Sequence, residues 1–316
     1  MKNNLLFYCF LLFSIIAQSQ DFKEEEIELT TRDDKSLYGT VVTNDQNDST
    51  IVLVIPGSGP TDRDGNSLIL QGKNNSLKYL AEDLIEANIP SLRIDKRGVG
   101  KSAQAMTKEE DLTFDMYVED VVEWGNILLK DDRFNQIIIA GHSEGSLIGM
   151  IAAQKIPAKA YISIAGSGIP ADSIITKQME GQPEMLTTEL ERVFSKLRQG
   201  DTVGDVNILL YSLFRPSIQP YMISWIKYHP TNEIAKLDIP ILIVQGNTDI
   251  QISVDDAKSL NSANKLSTLI IIDQMNHVFK EAPIDRAANI AAYTNPELKN
   301  VPLLASEIIK FISELK

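Results

Sequence analysis

The chain has 316 residues, of which 43% are hydrophobic and 23% charged, a formal net charge of −13 and a single cysteine. That apolar share supports a packed core and excludes wholesale disorder, and the length suits one large α/β domain or one domain carrying an insertion. The negative balance argues against a nucleic-acid partner, which needs clustered Lys and Arg facing phosphates. One cysteine can build neither an intramolecular disulfide nor a cysteine-rich zinc site.

The chain opens on Met1-Lys2-Asn3-Asn4, continues through the apolar stretch Leu5 to Ala17, and reaches small residues at Ala17-Gln18-Ser19. This is the layout of a secretory signal peptide over residues 1–19. The apolar stretch is shorter than the roughly 20 residues of a membrane-spanning helix, so a removable leader is expected rather than an anchor. Tyr8 ahead of Cys9 does not suit lipidation. Export to the periplasm or the medium is therefore expected, with no stable membrane association once the leader is removed. Cys9 leaves with it.

The body alternates between two patterns. Glu26 to Thr31 and Leu37 to Val42 read as an opening pair of strands, and Ile51 to Ile55 is a continuous β-branched run of the kind buried on both faces. Comparable runs return at Ser91 to Ile94, Gln136 to Ala140, Ala160 to Ile164, Ile241 to Gln245 and Leu269 to Ile272. Between them lie helical patterns at Leu77 to Ala87, Phe114 to Leu129, Ser146 to Gln154, Val254 to Ser262 and Pro302 to Leu315. Strand and helix alternating at this spacing predict an α/β fold, a mostly parallel eight-stranded sheet flanked by helices.

From about Ile169 to Lys236 no strand pattern occurs. The expected division is a core at residues 20–168 and 237–316 around a helical cap insertion at 169–236. The insertion is rich in Met and aromatic residues. Most such residues pack a core of their own, and some could face a site as an apolar wall. Met179, Phe214, Tyr221 and Trp225 are the candidates for substrate contact there.

The chemistry centres on Gly141-His142-Ser143-Glu144-Gly145, directly after an apolar strand and directly before a helix. A nucleophile on so sharp a turn leaves no room for neighbouring side chains, hence a glycine on each side. The helix N-terminus adds free N–H groups and a favourable dipole. A serine nucleophile needs a base, and the chain has three histidines. His142 adjoins the serine and is expected to point elsewhere, and His229 lies in the insertion. His277 lies in a loop after the strand Leu269 to Ile272, and loops at the C-terminal ends of strands are where open α/β sheets place their sites, so His277 is the expected base. For the orienting acid, Asp249 directly follows the strand Ile241 to Gln245. Asp255, Asp256 and Asp273 are competitors, the first two better explained as helix-start residues. Oxyanion donors are expected from the backbone N–H of Glu144 and from the glycine-rich loop Pro56 to Pro60, with Ser58 favoured over Gly57 as donor and Gly57 close to the substrate.

These residues resemble the α/β-hydrolase superfamily from about Glu26 to Lys316. The elbow Gly141 to Gly145, the segment Asp95-Lys96-Arg97-Gly98-Val99-Gly100-Lys101-Ser102 and the chain order Ser143, Asp249, His277 carry the likeness. More narrowly, Gly57-Ser58-Gly59-Pro60-Thr61-Asp62-Arg63-Asp64-Gly65-Asn66 resembles a bacterial carboxylesterase subgroup with the pattern G-S-G-P-x-D-R-D-G-N, and Asn276-His277-Val278-Phe279 is similar to its histidine loop. The resemblance implies a serine esterase acting on short acyl esters, small molecules, with no cofactor and no metal, and a helical cap after the sixth strand. Asp62-Arg63-Asp64 is expected to fix the loop by turns and ion pairs, with Asp95 and Arg97 as scaffold. Two other readings stay open. A serine aminopeptidase would share the elbow and triad order, with Glu180, Glu184, Glu189 and Glu191 as candidates for binding a peptide amine. A non-catalytic binding protein could use the same scaffold.

Overall fold

The structure, a computed structural model, describes residues 22–46, 48–106 and 108–315. The leader expected over residues 1–19 lies outside them. The strands are β1 (Lys23–Thr30), β2 (Ser36–Thr43), β3 (Thr50–Ile55), β4 (Ser91–Ile94), β5 (Gln136–His142), β6 (Ala160–Ile164), β7 (Ile241–Gly246) and β8 (Ser267–Ile272). They form one sheet in the order β1-β2-β4-β3-β5-β6-β7-β8. β2 pairs antiparallel with both β1 and β4, and every pairing from β4 to β8 is parallel.

Three helices lie between the first strands: α1 (Ser76–Glu86), α2 (Phe114–Leu128) and α3 (Glu144–Ala152). Between β6 and β7 the chain runs only through helices, α4 (Ala171–Gln178), α5 (Glu184–Leu197), α6 (Tyr211–Phe214), α7 (Gln219–Ile226) and α8 (Pro230–Ile234). α9 (Val254–Ala263), α10 (Arg286–Ala291) and α11 (Pro302–Glu314) follow. No helix among the described residues is long and apolar enough to cross a membrane.

Strand alternation sorts the core into two layers, because successive side chains point to opposite faces. Ile51, Leu53 and Ile55 of β3, Ile137 and Ile139 of β5, and Ile241 and Ile243 of β7 pack with Phe114, Val118 and Val121 of α2 and Leu147 and Ile148 of α3. Val52 and Val54, Ile138 and Ala140, and Leu242 and Val244 pack on the other side with Leu77, Leu80 and Leu84 of α1 and Leu304, Ile308 and Ile312 of α11. Both faces of the central strands are covered, which is why their sequences read as unbroken apolar runs.

Among the differences from the sequence reading are the starts of β1 and α3 and the unexpected helix α10. β1 begins at Lys23 rather than Glu26, and its first residues are charged and exposed. It is an edge strand held by main-chain pairing with β2, so its start carries no apolar alternation, and its charge discourages further pairing. α3 begins at Glu144, immediately after the serine, rather than at Ser146.

The strand order sets the position of the site. From β3 the chain steps to β4 on one side, then returns past β3 to β5 on the other. At such a reversal the loops after the two strands diverge and leave a crevice beyond their C-terminal ends. The loops after β3 and β5 carry Gly57 and Ser143.

Candidate active site

Ser143 joins β5 to α3 with φ 54° and ψ −119°. A non-glycine residue in that region is strained and must be held by its surroundings. Its N–H donates to the Ile164 carbonyl of β6 at 2.9 Å. The flanking glycines are required by contact. A Cβ on Gly141 would lie 2.1 Å from the Gly145 carbonyl oxygen, and one on Gly145 would lie 2.5 Å from the Pro56 oxygen and 2.6 Å from that of Ile55. The helix thus presses its first turn directly onto the backbone at the end of β3. Ser143 is half-buried, and its hydroxyl has no hydrogen-bond partner among the described residues.

Asp249 and His277 come together from the loops after β7 and β8. His277 Nδ1 lies 2.8 Å from Asp249 Oδ2, and both side chains are almost wholly buried. Asp249 Oδ1 accepts from the Gln251 N–H at 2.7 Å and the Ile252 N–H at 3.0 Å, and Oδ2 also accepts from Gln245 Nε2 at 3.1 Å. Burial alone would raise the Asp249 carboxyl, but the imidazole beside it and these N–H donors outweigh that and hold it below the usual carboxylate range. An ionised carboxylate only accepts, so Nδ1 carries a proton, and in the neutral imidazole Nε2 is then the acceptor. The competing acids are engaged elsewhere. Asp273 accepts from Asn247 Nδ2 at 2.6 Å, Asp255 pairs with Lys258 on the surface, and Asp256 forms the capping box of α9 with Ser253.

His142 does not point away from the site. Its Nε2 donates to the His277 carbonyl at 2.9 Å, and the two rings lie 4.8 Å apart. Burial first, then the neighbouring His277, push the His142 imidazole down to about 3. It stays neutral and braces the loop that carries His277.

On the other side of the serine, a Cβ built on Gly57 would sit 3.2 Å from Ser143 Cβ. The Pro56 to Pro60 loop therefore runs against the elbow. Neither the Ser58 N–H nor the Glu144 N–H has a hydrogen-bond partner among the described residues. The following segment is a turn fixed by charge. Asp62 Oδ1 accepts from the N–H groups of Asp64 and Asn66 at 3.0 and 2.8 Å. Arg63 donates through its N–H and Nη2 to the two oxygens of Asp95, at 2.8 and 2.6 Å. Arg97 bridges Asp120 and Asp33 below.

Comparison with known proteins follows the same lines. A family model described as "Serine aminopeptidase, S33" matches residues 70–212. The esterase EstD of Thermotoga maritima is 23% identical over 249 residues, covering 74% of this chain. The chain spans 57% of that relative's length. Est1E of Butyrivibrio proteoclasticus, solved with ferulic acid bound, superposes with a TM-score of 0.62 at 19% identity, covering 92% of this chain and 98% of its own. The α/β hydrolase GrgF of Penicillium sp. sh18 gives 0.60 at 16% identity over 92% and 98% of the two chains. The Pyrococcus furiosus esterase PF2001 gives 0.60 at 15% identity over 93% and 91%. The fold is the α/β-hydrolase fold.

Within this hydrolase fold, the insertion residues named as substrate contacts part ways. Phe214 is fully buried and stands edge-on to Phe194 at 5.0 Å, packed in the insertion's interior. From sequence an aromatic in a helix reads the same in either role. Trp225 lies flat on Phe114 of α2 at 6.0 Å, and Met179 is half-buried against the same cluster. Tyr221 reaches the elbow, where its hydroxyl donates to Glu144 Oε1. Two side chains were not singled out from sequence: Gln245, which anchors Asp249, and Lys96, in the segment after β4. Their position at the C-terminal ends of strands was the available signal.

Proposed function

We propose that this α/β-hydrolase cleaves carboxylic esters by acyl transfer to Ser143. The observation that carries the reading is an uncommitted serine hydroxyl on a strained elbow, together with a histidine whose Nδ1 is anchored on an ionised, buried Asp249. Ser143 Oγ attacks the ester carbonyl carbon while His277 Nε2 takes its proton. The N–H groups of Ser58 and Glu144 receive the negative oxygen. The carbonyl re-forms as the C–O bond to the alcohol breaks, and His277 returns the proton to that leaving oxygen. Water then attacks the acyl-enzyme by the same route, releasing the acid and restoring Ser143.

The names of EstD, Est1E and PF2001 support ester chemistry, and the resemblance of Gly57 to Asn66 to the carboxylesterase pattern supports short acyl chains. The leader-like first 19 residues support action outside the cytoplasm. Turnover of aryl esters of increasing acyl length should fall by at least about 10³-fold in Ser143→Ala, with folding unchanged. Near-normal turnover in that variant overturns the reading.

The aminopeptidase family model favours a second reading, peptide hydrolysis. It needs free carboxylates for the peptide amine, and two of the four candidates are taken. Glu189 is held by Arg192 and Glu191 by Arg198. Peptide amides run beside the esters would separate the two. A non-catalytic binder is excluded if a fluorophosphonate labels Ser143.

A further inference from the structure

Behind the oxyanion loop lies a buried cation that the proposed chemistry does not use. Lys96, just after β4, is almost fully enclosed, and its Nζ donates to the Gly57 carbonyl at 2.6 Å. The same ammonium lies 3.8 Å from Glu144 Oε1 and 5.0 Å from the centre of the Tyr117 ring. Glu144 is buried as well, and its carboxylate accepts from the hydroxyl of Tyr221, in α7 of the insertion. Burial, then the Glu144 charge, push the Tyr221 phenol far above its ordinary value, so it remains a donor. Burial pulls the Lys96 ammonium down, and the Glu144 carboxylate pushes back. A buried charge of this kind is costly without partners, and here one end of the network is a backbone carbonyl.

That carbonyl belongs to the peptide whose N–H is Ser58's. No cis peptide occurs among the described residues, so in this planar trans unit the C=O and N–H point in opposite directions. Fixing the oxygen on Lys96 fixes the N–H on the far face, where Ser58 is exposed and its N–H is uncommitted. A donor on the carbonyl also polarises the peptide and strengthens its N–H as a donor. The other oxyanion donor, the Glu144 N–H, sits on the residue whose side chain anchors Lys96.

We propose that Lys96 is a positioning residue for the oxyanion site, holding the Gly57–Ser58 peptide by its carbonyl, with Glu144 and Tyr221 holding Lys96. This rests on the ester-hydrolase reading for its natural reaction. The network also ties the helical insertion to the loop that receives the oxyanion.

The test compares Lys96→Met with the wild type in two assays: kcat and KM on an aryl ester, and the rate at which a fluorophosphonate labels Ser143. Loss of one oxyanion donor costs about 10²–10³-fold. Disordering one without deleting it should lower kcat by roughly 10–100-fold, leave KM within about twofold and slow labelling by a similar factor. Unchanged kcat and labelling, or a loss confined to KM, overturns the proposal. If Lys96→Met does not fold because Glu144 is left unpaired, Lys96→Met/Glu144→Gln removes the stranded charge and keeps an acceptor for Tyr221. Wild-type kcat and labelling in that double variant likewise overturn it. A wild type that is labelled but hydrolyses no ester sinks the esterase reading alone, and the labelling rates still decide the role of Lys96.

Discussion

The two sides of the crevice are held by different means. On the side of the proposed base the acid is held locally: Asp249 is fixed by the N–H groups of Gln251 and Ile252, two and three residues on, and in turn fixes His277, 28 residues on. The oxyanion side is built from distant residues. Lys96 reaches 39 residues back to Gly57, and Tyr221 reaches 77 residues back to Glu144. Damage on the base side should therefore stay local and chemical, whereas damage on the oxyanion side should spread to the insertion.

The strongest way to break that contrast is Asp249→Asn. An amide in place of the carboxylate no longer selects the Nδ1–H tautomer, and kcat should fall by roughly 10³-fold or more with little change in thermal stability. Retention of activity would move the acid elsewhere, with Asp273, on the same loop as His277, the alternative. Next comes Phe214→Ala, which probes whether the insertion's interior is separate from the crevice. Emptying that fully buried site should cost about 3 kcal/mol or more in urea unfolding, with KM for esters unchanged. A raised KM at unchanged stability would instead make Phe214 a pocket wall.

A smaller effect is expected where the two sides meet, at His142. The unfolded chain binds a proton at this imidazole below 6.5, while the native protein does not until about 3. The native state thus binds fewer protons in that window, and its stability falls as pH drops through it. Each pH unit is worth about 1.4 kcal/mol for one group, so the wild type should lose roughly 2 kcal/mol more than His142→Gln between pH 6 and pH 4.5. The glutamine keeps a donor for the His277 carbonyl and does not titrate. Equal losses in the two proteins would show that His142 is protonated at no cost.

How legible each part was follows from the same contrast. The unbroken apolar runs at Ile51 to Ile55 and Ile241 to Gln245 mark central strands because burial on both faces demands them. The polar start of β1 at Lys23 was hidden, since an edge strand is held by main-chain pairing that no side-chain pattern records. The short helix α10 was missed for a related reason: five of its six residues are exposed and the buried one is Asn289, so it presents no apolar stripe.

Ser143, Asp249 and His277 were open to sequence reasoning as candidates because each follows a recognisable strand, and the chain has only three histidines. The elbow glycines follow from steric need alone: an added Cβ would lie 2.1 or 2.5 Å from a backbone oxygen. Tertiary structure alone decided that Phe214 faces Phe194, that Tyr221 faces Glu144, and that Lys96 rather than Asp95 or Arg97 turns toward Gly57 and Glu144. The physical reason is reach. Periodicity reports which face of an element is buried, but not which distant partner meets it there. A buried charge in particular has no sequence signature until its partners are brought within hydrogen-bonding distance.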